Sequence, residues 1–213
     1  ASRTELEFRG PPEKVLLAPA RSAAVDHVLL DALAPHPTGY DETSVVGMPS
    51  RLRIGVNALY LIPGGVGGTE IYLRNLLEAL ARIDRRNQYF VYVNRETGAD
   101  LCPRAANFAP VETGVRARFR PGRLLWEQTG LAWATFRQDL DVLFSPGFTS
   151  PRWTRGESIT VIHDLQHRRH PENFGFFELR AWEASVRQSV KKSKLLVAVS
   201  KNTAHDLQED YEV

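Results

Sequence analysis

Several scarcities bound what this chain of 213 residues can be. Cysteine occurs once, at Cys102, so no internal disulfide can form and a reducing compartment is the expected setting. Cys102 itself reads as an ordinary loop residue. Long apolar runs are missing: none approaches the roughly 20 residues that a membrane-spanning helix needs. Excess charge is small, a formal +2 at pH 7, too weak a footprint to argue for a nucleic-acid partner. Arg3, Glu5, Glu7, Arg9 and Glu13 interrupt the first stretch, which argues against a secretory leader there. What is present is ordinary: 43% hydrophobic and 24% charged residues, which excludes a fully disordered tail, a collagen and a coiled coil.

The totals hide a division. Residues 1–50 hold four basic and seven acidic side chains and six of the 13 prolines. They are net −3, and residues 51–213 are net +5. Met48 is the only methionine, and the apolar run of a first buried strand follows it. A compact domain is therefore expected over 51–213, with 1–50 as an N-terminal extension, partly disordered or forming a loosely docked helix. The helical spacing there runs from Val15 to Leu33, interrupted by Pro19. The basic body suits an anionic small molecule or an anionic membrane surface, and equally an unremarkable solvated face.

From residue 50 onward apolar runs alternate with helical patterns. Strands are expected at Leu52–Tyr60, Gln88–Val93, Val142–Phe144, Ser158–Ile162 and Leu195–Val199, with a short one at Val115–Phe119. Helices are expected at Thr69–Ile83, Arg123–Gln138 (weakened by Gly130), Phe176–Ser193 and Asn202–Tyr211. Strands such as VLF, ITVI and LLVAV are apolar throughout, as strands buried on both faces are. The fold class is α/β: a Rossmann-like, doubly wound, mainly parallel sheet with helices on both faces. Ligands bind such sheets outside the carboxyl ends of the strands. The chemically unusual residues fall there: Gly64, Gly65, Gly67 and Gly68 after the first strand, Pro146 and Gly147 after another, His163 and Asp164 after another, and Ser200 after the last.

Each cluster has a functional and a bland reading. The four glycines permit positive φ and close approach of a ligand, with Thr69 expected to cap the helix and expose an anion site. The alternative is a flexible surface turn. No Lys-Ser/Thr follows, so the run is no Walker loop. It also fails the dinucleotide fingerprint, because Glu70 stands where the third glycine belongs and Asn94 and Arg95 replace the ribose-binding acid; a nicotinamide-dependent oxidoreductase is disfavoured. His163 reads as a hydrogen-bond partner or proton carrier at the cleft, or else as a buried structural histidine. A metal site on His163, Asp164 and His167 lacks a completing shell, and no metal or other cofactor is expected. His167 and His170 read as surface residues. Trp126 suits core packing, and Glu127 and Glu70 are lower-grade site candidates.

The stretch RIGVNALYLIPGGVGGTEIYLRNLLEAL resembles the opening of retaining glycosyltransferases of the family-four, GT-B type. LLWEQ, DVLFSP, VIHDLQHRRHPENF and LLVAVSKNTAHDL are similar to the later landmarks of that family, in the same order. The resemblance covers roughly 51–213 and leaves 1–47 outside it. It implies the acceptor-side half of a two-domain enzyme that uses a nucleotide-sugar donor and a saccharide or lipid-linked acceptor, without a metal. By position, Gly64, Gly65, Gly67 and Gly68 would line the cleft near the donor phosphates and the acceptor. His163, supported by Asp164, would stand near the anomeric centre. The family's donor-binding half, with its paired-glutamate signature, has no counterpart in these residues, so little or no transfer by this chain alone is expected. A hexosyltransferase of mannosyltransferase type, building cell-surface polysaccharide or glycolipid in the cytoplasm or peripherally at the inner membrane face, is the implied role. Arg180, Arg187 and Lys191 are the face for such a membrane contact. The rival is a non-catalytic Rossmann-like module that binds a sugar or phosphate or serves interaction.

Overall fold

The apolar runs of this sequence become the parallel strands of one sheet. The computed structural model describes residues 14–17, 51–65, 67–169, 172, 175–211 and 213. Its strands are β1 (Val15–Leu17), β2 (Arg53–Asn57), β3 (Gln88–Val93), β4 (Phe108–Glu112), β5 (Val142–Ser145), β6 (Glu157–Ile162) and β7 (Leu195–Ala198). They lie in the order β1-β7-β6-β5-β2-β3-β4, and every neighbouring pair is parallel. Without β1, this is the doubly wound order in which the winding reverses between the first and fourth strands, here β2 and β5.

Helices cover both faces. Along β2 and β3, side chains alternate between two cores. Ile54, Val56, Tyr89 and Val91 pack with Leu73, Leu76, Leu77 and Leu80 of helix α1 (Gly68–Ile83). On the other face Phe90, Tyr92 and Leu143 pack with Leu131, which lies in the helical segment Arg120–Arg137. A third core joins β1, β6 and β7 to the long helix Phe176–Lys192 and the last helix, Lys201–Tyr211.

Three expectations differ from the structure. Val15–Leu17, placed at the start of a helix, is instead an edge strand. β7 presents an unpaired edge, and Val15, Leu16 and Leu17 pair with Leu196, Val197 and Ala198. The Lys14 ammonium donates to the carbonyls of Val190 and Lys191 at a helix C-terminus, where cations are favoured. The rest of the expected Val15–Leu33 helix lies outside the described residues. The strand expected at Val115–Phe119 is coil, and the third pairing partner is Phe108–Glu112. Phe108 stacks on Tyr89 at 4.3 Å, and Pro110 is tolerated because β4 is an edge. The Arg123–Gln138 helix starts at Arg120 and contains a π-turn at Glu127–Leu131. Gly130 sits in that turn because a Cβ there would lie 2.5 Å from the Trp126 indole.

Candidate functional site

The glycine run turns the chain from β2 into α1. Gly64 and Gly67 have φ of 68° and 54°, the left-handed region that an L side chain disfavours. Gly67 is the N-cap residue, and no side chain caps the helix, so the expected cap by Thr69 is not formed. Glu70 performs a related task. Its carboxylate accepts from the Gly64 backbone N–H at 2.8 Å and from Arg74 Nε at 2.9 Å, and the Arg74 bond chiefly holds its pKa below the usual carboxylate range, aided by Gly64. Glu70 therefore ties the loop down. Gly68 differs from its neighbours. Its φ is ordinary, and a Cβ on it would meet nothing within 4 Å. Neither strain nor packing calls for glycine there; its missing side chain leaves space for something outside the chain.

His163 follows β6 directly. Its Nε2–H donates to the Pro146 carbonyl at 2.9 Å, which leaves Nδ1 as the acceptor nitrogen. Burial lowers its pKa, opposed by the Pro146 bond and by Asp164, so the ring is neutral near pH 7. The edge of Tyr72 and the ring of Phe148, each 5.4 Å away by centroid, hold the imidazole. Phe148 itself has φ 70°, a conformation that costs a bulky residue on the order of 1 kcal/mol or more and persists only where its surroundings impose it. From the last strand, Ser200 Oγ accepts the Thr203 backbone N–H at 3.1 Å and lies 2.9 Å from Thr203 Oγ1. Thr203 Oγ1 donates in turn to the His163 carbonyl at 3.0 Å.

These strand ends enclose a cavity of about 500 Å³. Among the residues singled out in the sequence, Gly68, Gly147, His163 and Asp164 line it. Of the glycine run only Gly68, about a hundred positions from His163, lines the cavity with it. Gly64, Gly65 and Gly67 do not line it: they are exposed on the outer turn. Pro146 serves through its carbonyl, Ser200 through Thr203, and Glu70 through the loop. Gly147 is required by packing as well, since a Cβ there would be 2.2 Å from the Tyr60 ring. Another hollow, of about 550 Å³, is lined by Arg95, Glu96, Arg116, Arg118 and Phe119. Its one carboxylate is occupied by the backbone N–H groups of Ala117 and Arg118.

Sequence reasoning missed part of the wall. Tyr60, Phe148, Trp182, Arg120 and Arg123 all line the cavity. His167 lines it too and is only 3% exposed, with Nε2 3.3 Å from the Tyr211 hydroxyl. The expectation of a surface residue fails because the short helix Gln166–Arg169 turns it inward. His170 lies outside the described residues. Glu127, a site candidate, is 2% exposed and does not line the cavity. It lies in the interior, where Oε2 accepts from Asn57 Nδ2 at 2.9 Å and Thr149 Oγ1 at 3.0 Å. Burial raises its pKa, against Arg123 and these hydrogen bonds. Arg123, four residues earlier on the same helix, is 5% exposed. An arginine one helical turn before a glutamate was the signal for this pair.

Among the described residues, no group of three or more His, Cys, Asp or Glu side chains is placed to hold a metal ion. No helix among them is long and apolar enough to cross a membrane. No curated protein matches the chain. The family model of Glycosyltransferase Family 4 matches residues 66–213, well over half of the sequence, and the chain belongs to that family.

Proposed function

We propose that this family-4 glycosyltransferase chain forms the acceptor-side wall of a retaining, nucleotide-sugar-dependent hexosyltransferase active site. The observation that carries the reading is the shared cavity at the switch point, where Gly68, Gly147 and His163 arrive from three different strand ends. Sheets of this winding order bind ligands in that crevice. A neutral imidazole with one nitrogen committed to the Pro146 carbonyl presents its other nitrogen as an acceptor for a sugar hydroxyl. His163 is thus suited to orienting the reacting sugar rather than to donating a proton. Its ring is held by Phe148 and Tyr72, and its backbone by Thr203, so it meets the substrate already oriented. Asp164, at the exposed side of the cavity, supports the imidazole electrostatically.

In this reading the donor's nucleotide is held across the cleft by a second domain, and charge developing on the leaving diphosphate is met by fixed donors. Mannose as the sugar, and cell-surface polysaccharide or glycolipid as the product, belong to the same proposal, as does a cytoplasmic site of action. A peripheral membrane contact through Arg180, Arg187 and Lys191 fits less well. Arg187 is engaged by Glu183 at 3.4 Å and lies over the Tyr211 ring. The test is titration of the isotope-labelled chain with hexose nucleotides and uncharged methyl hexosides, followed by amide NMR. Shifts should centre on Gly68, Gly147 and His163, and His163→Ala should weaken hexoside binding about tenfold, ~1.4 kcal/mol. Absence of shifts at all three positions with every saccharide overturns the proposal.

A further inference from the structure

The coil after β4 reads Arg116-Ala117-Arg118-Phe119-Arg120, with arginine at every second position. Val115 and Ala117 turn inward, 6% and 2% exposed, while Arg116 and Arg118 are exposed. Backbone bonds pin this coil to the end of β3. Arg95 donates its N–H to the Val115 carbonyl at 2.9 Å, and Thr113 donates its N–H at 3.0 Å and its hydroxyl at 2.9 Å to the Val93 carbonyl. Glu96 accepts from the N–H groups of Ala117 at 2.9 Å and Arg118 at 3.3 Å. The arginines therefore project from a fixed backbone, which lowers the ordering cost of binding through them.

Arg95, Arg116 and Arg118 line the second hollow together with Phe119, and Glu96 is the one acid in that lining. Among the described residues none of these three guanidiniums is hydrogen-bonded or ion-paired. Like charges gathered around one hollow repel each other, and an entering anion relieves that repulsion. The planar guanidinium fork matches a carboxylate or a phosphate. This hollow adjoins the cavity that holds His163. Ala117, between Arg116 and Arg118, lines the cavity, as does Arg120, which is paired with Glu178. One stretch of five residues thus faces both spaces. We propose that the hollow binds an acidic substituent, a carboxylate or a phosphate, carried by the acceptor saccharide on a sugar beyond the one seated beside His163.

The proposal deepens the acceptor-side reading and rests on it for the saccharide. The test is an amide NMR titration of the isotope-labelled chain with three disaccharides. One is neutral, one carries a hexuronate at one end, and one carries a hexose 6-phosphate there. At low salt the acidic probes should bind about tenfold more tightly than the neutral one, and they alone should shift Arg95 and Arg118. The advantage should shrink as salt rises from about 0.05 to about 0.5 M. The double variant Arg116→Gln, Arg118→Gln should bring the acidic probes to the affinity of the neutral one. Whichever acidic probe binds more tightly identifies the group that the hollow takes. Equal affinity of all three for the wild-type chain, with shifts at Gly147 and His163, overturns the proposal and leaves the acceptor reading standing. An acidic advantage that survives in the double variant overturns it too. No shift at Gly68, Gly147 or His163 with any disaccharide overturns the acceptor reading, and the proposal with it.

Discussion

The two edges of the sheet treat a buried carboxylate in opposite ways. At the N-terminal edge, Asp84 is 6% exposed and fully employed. It accepts from the Tyr89 hydroxyl at 2.6 Å, from the backbone N–H groups of Arg86 and Asn87, and from Asn87 Nδ2 at 2.8 Å. Burial alone would raise its pKa, yet these bonds outweigh it and the net shift is downward. At the C-terminal edge, Glu127 is as deeply buried, leaves one oxygen without a partner and has its pKa raised. One edge is finished as structure. The other leaves polar atoms of Glu127, in the interior, and of the cavity-lining Arg123 without partners, a pattern that recurs at functional sites.

The largest expected effect lies at the finished edge. Asp84→Ala removes four hydrogen bonds to a charged group and strands the Tyr89 hydroxyl, so it should cost about 3 kcal/mol in urea unfolding. Next is Gly147→Ala, whose methyl group collides with the Tyr60 ring. A loss of about 1–3 kcal/mol is expected from overpacking, with binding reduced in parallel. The pH dependence sharpens the contrast. Asp84 has a lowered folded pKa, so its contribution is present above about pH 4 and is lost as pH falls through that folded value. Glu127 has a raised folded pKa, so its contribution is present below about pH 4 and is lost as pH rises through its folded value. Glu127→Gln should therefore gain stability relative to wild type as pH rises, measured by thermal unfolding across pH 4 to 8. A constant difference over that range would contradict the raised pKa. The smallest stability effect belongs to Gly68→Ala: with open space and ordinary φ, it should change stability by no more than about 0.5 kcal/mol. Its added methyl group should still weaken ligand binding in the NMR titration. Unchanged binding would break the assignment of that open space to a ligand.

Much of this was legible locally. Val142–Phe144, Ile159–Ile162 and Leu195–Ala198 are apolar but for Thr160, and such runs become central parallel strands wherever helices cover both faces. The amphipathic spacing of Leu73, Leu76, Leu77 and Leu80 marks α1 and its buried face. With strands and helices in alternation, glycine loop and His163 had to fall at the same edge. The four candidate residues that line the cavity were singled out in this way, from position along the chain rather than from side-chain contacts.

The sequence by itself thus determined the five inner strands, the helix after the glycine turn and the edge on which chemistry gathers, because these follow from periodicity and chain direction. Tertiary structure alone decided that β1 completes the sheet, that His167 turns inward, that Glu127 lies in the interior and that Arg123 is buried with donors unfilled. The reason is that burial is set by what packs opposite a residue. For Arg123 and Glu127 that means β2, Thr149 and Trp182, segments separated along the chain and joined only when the sheet closes.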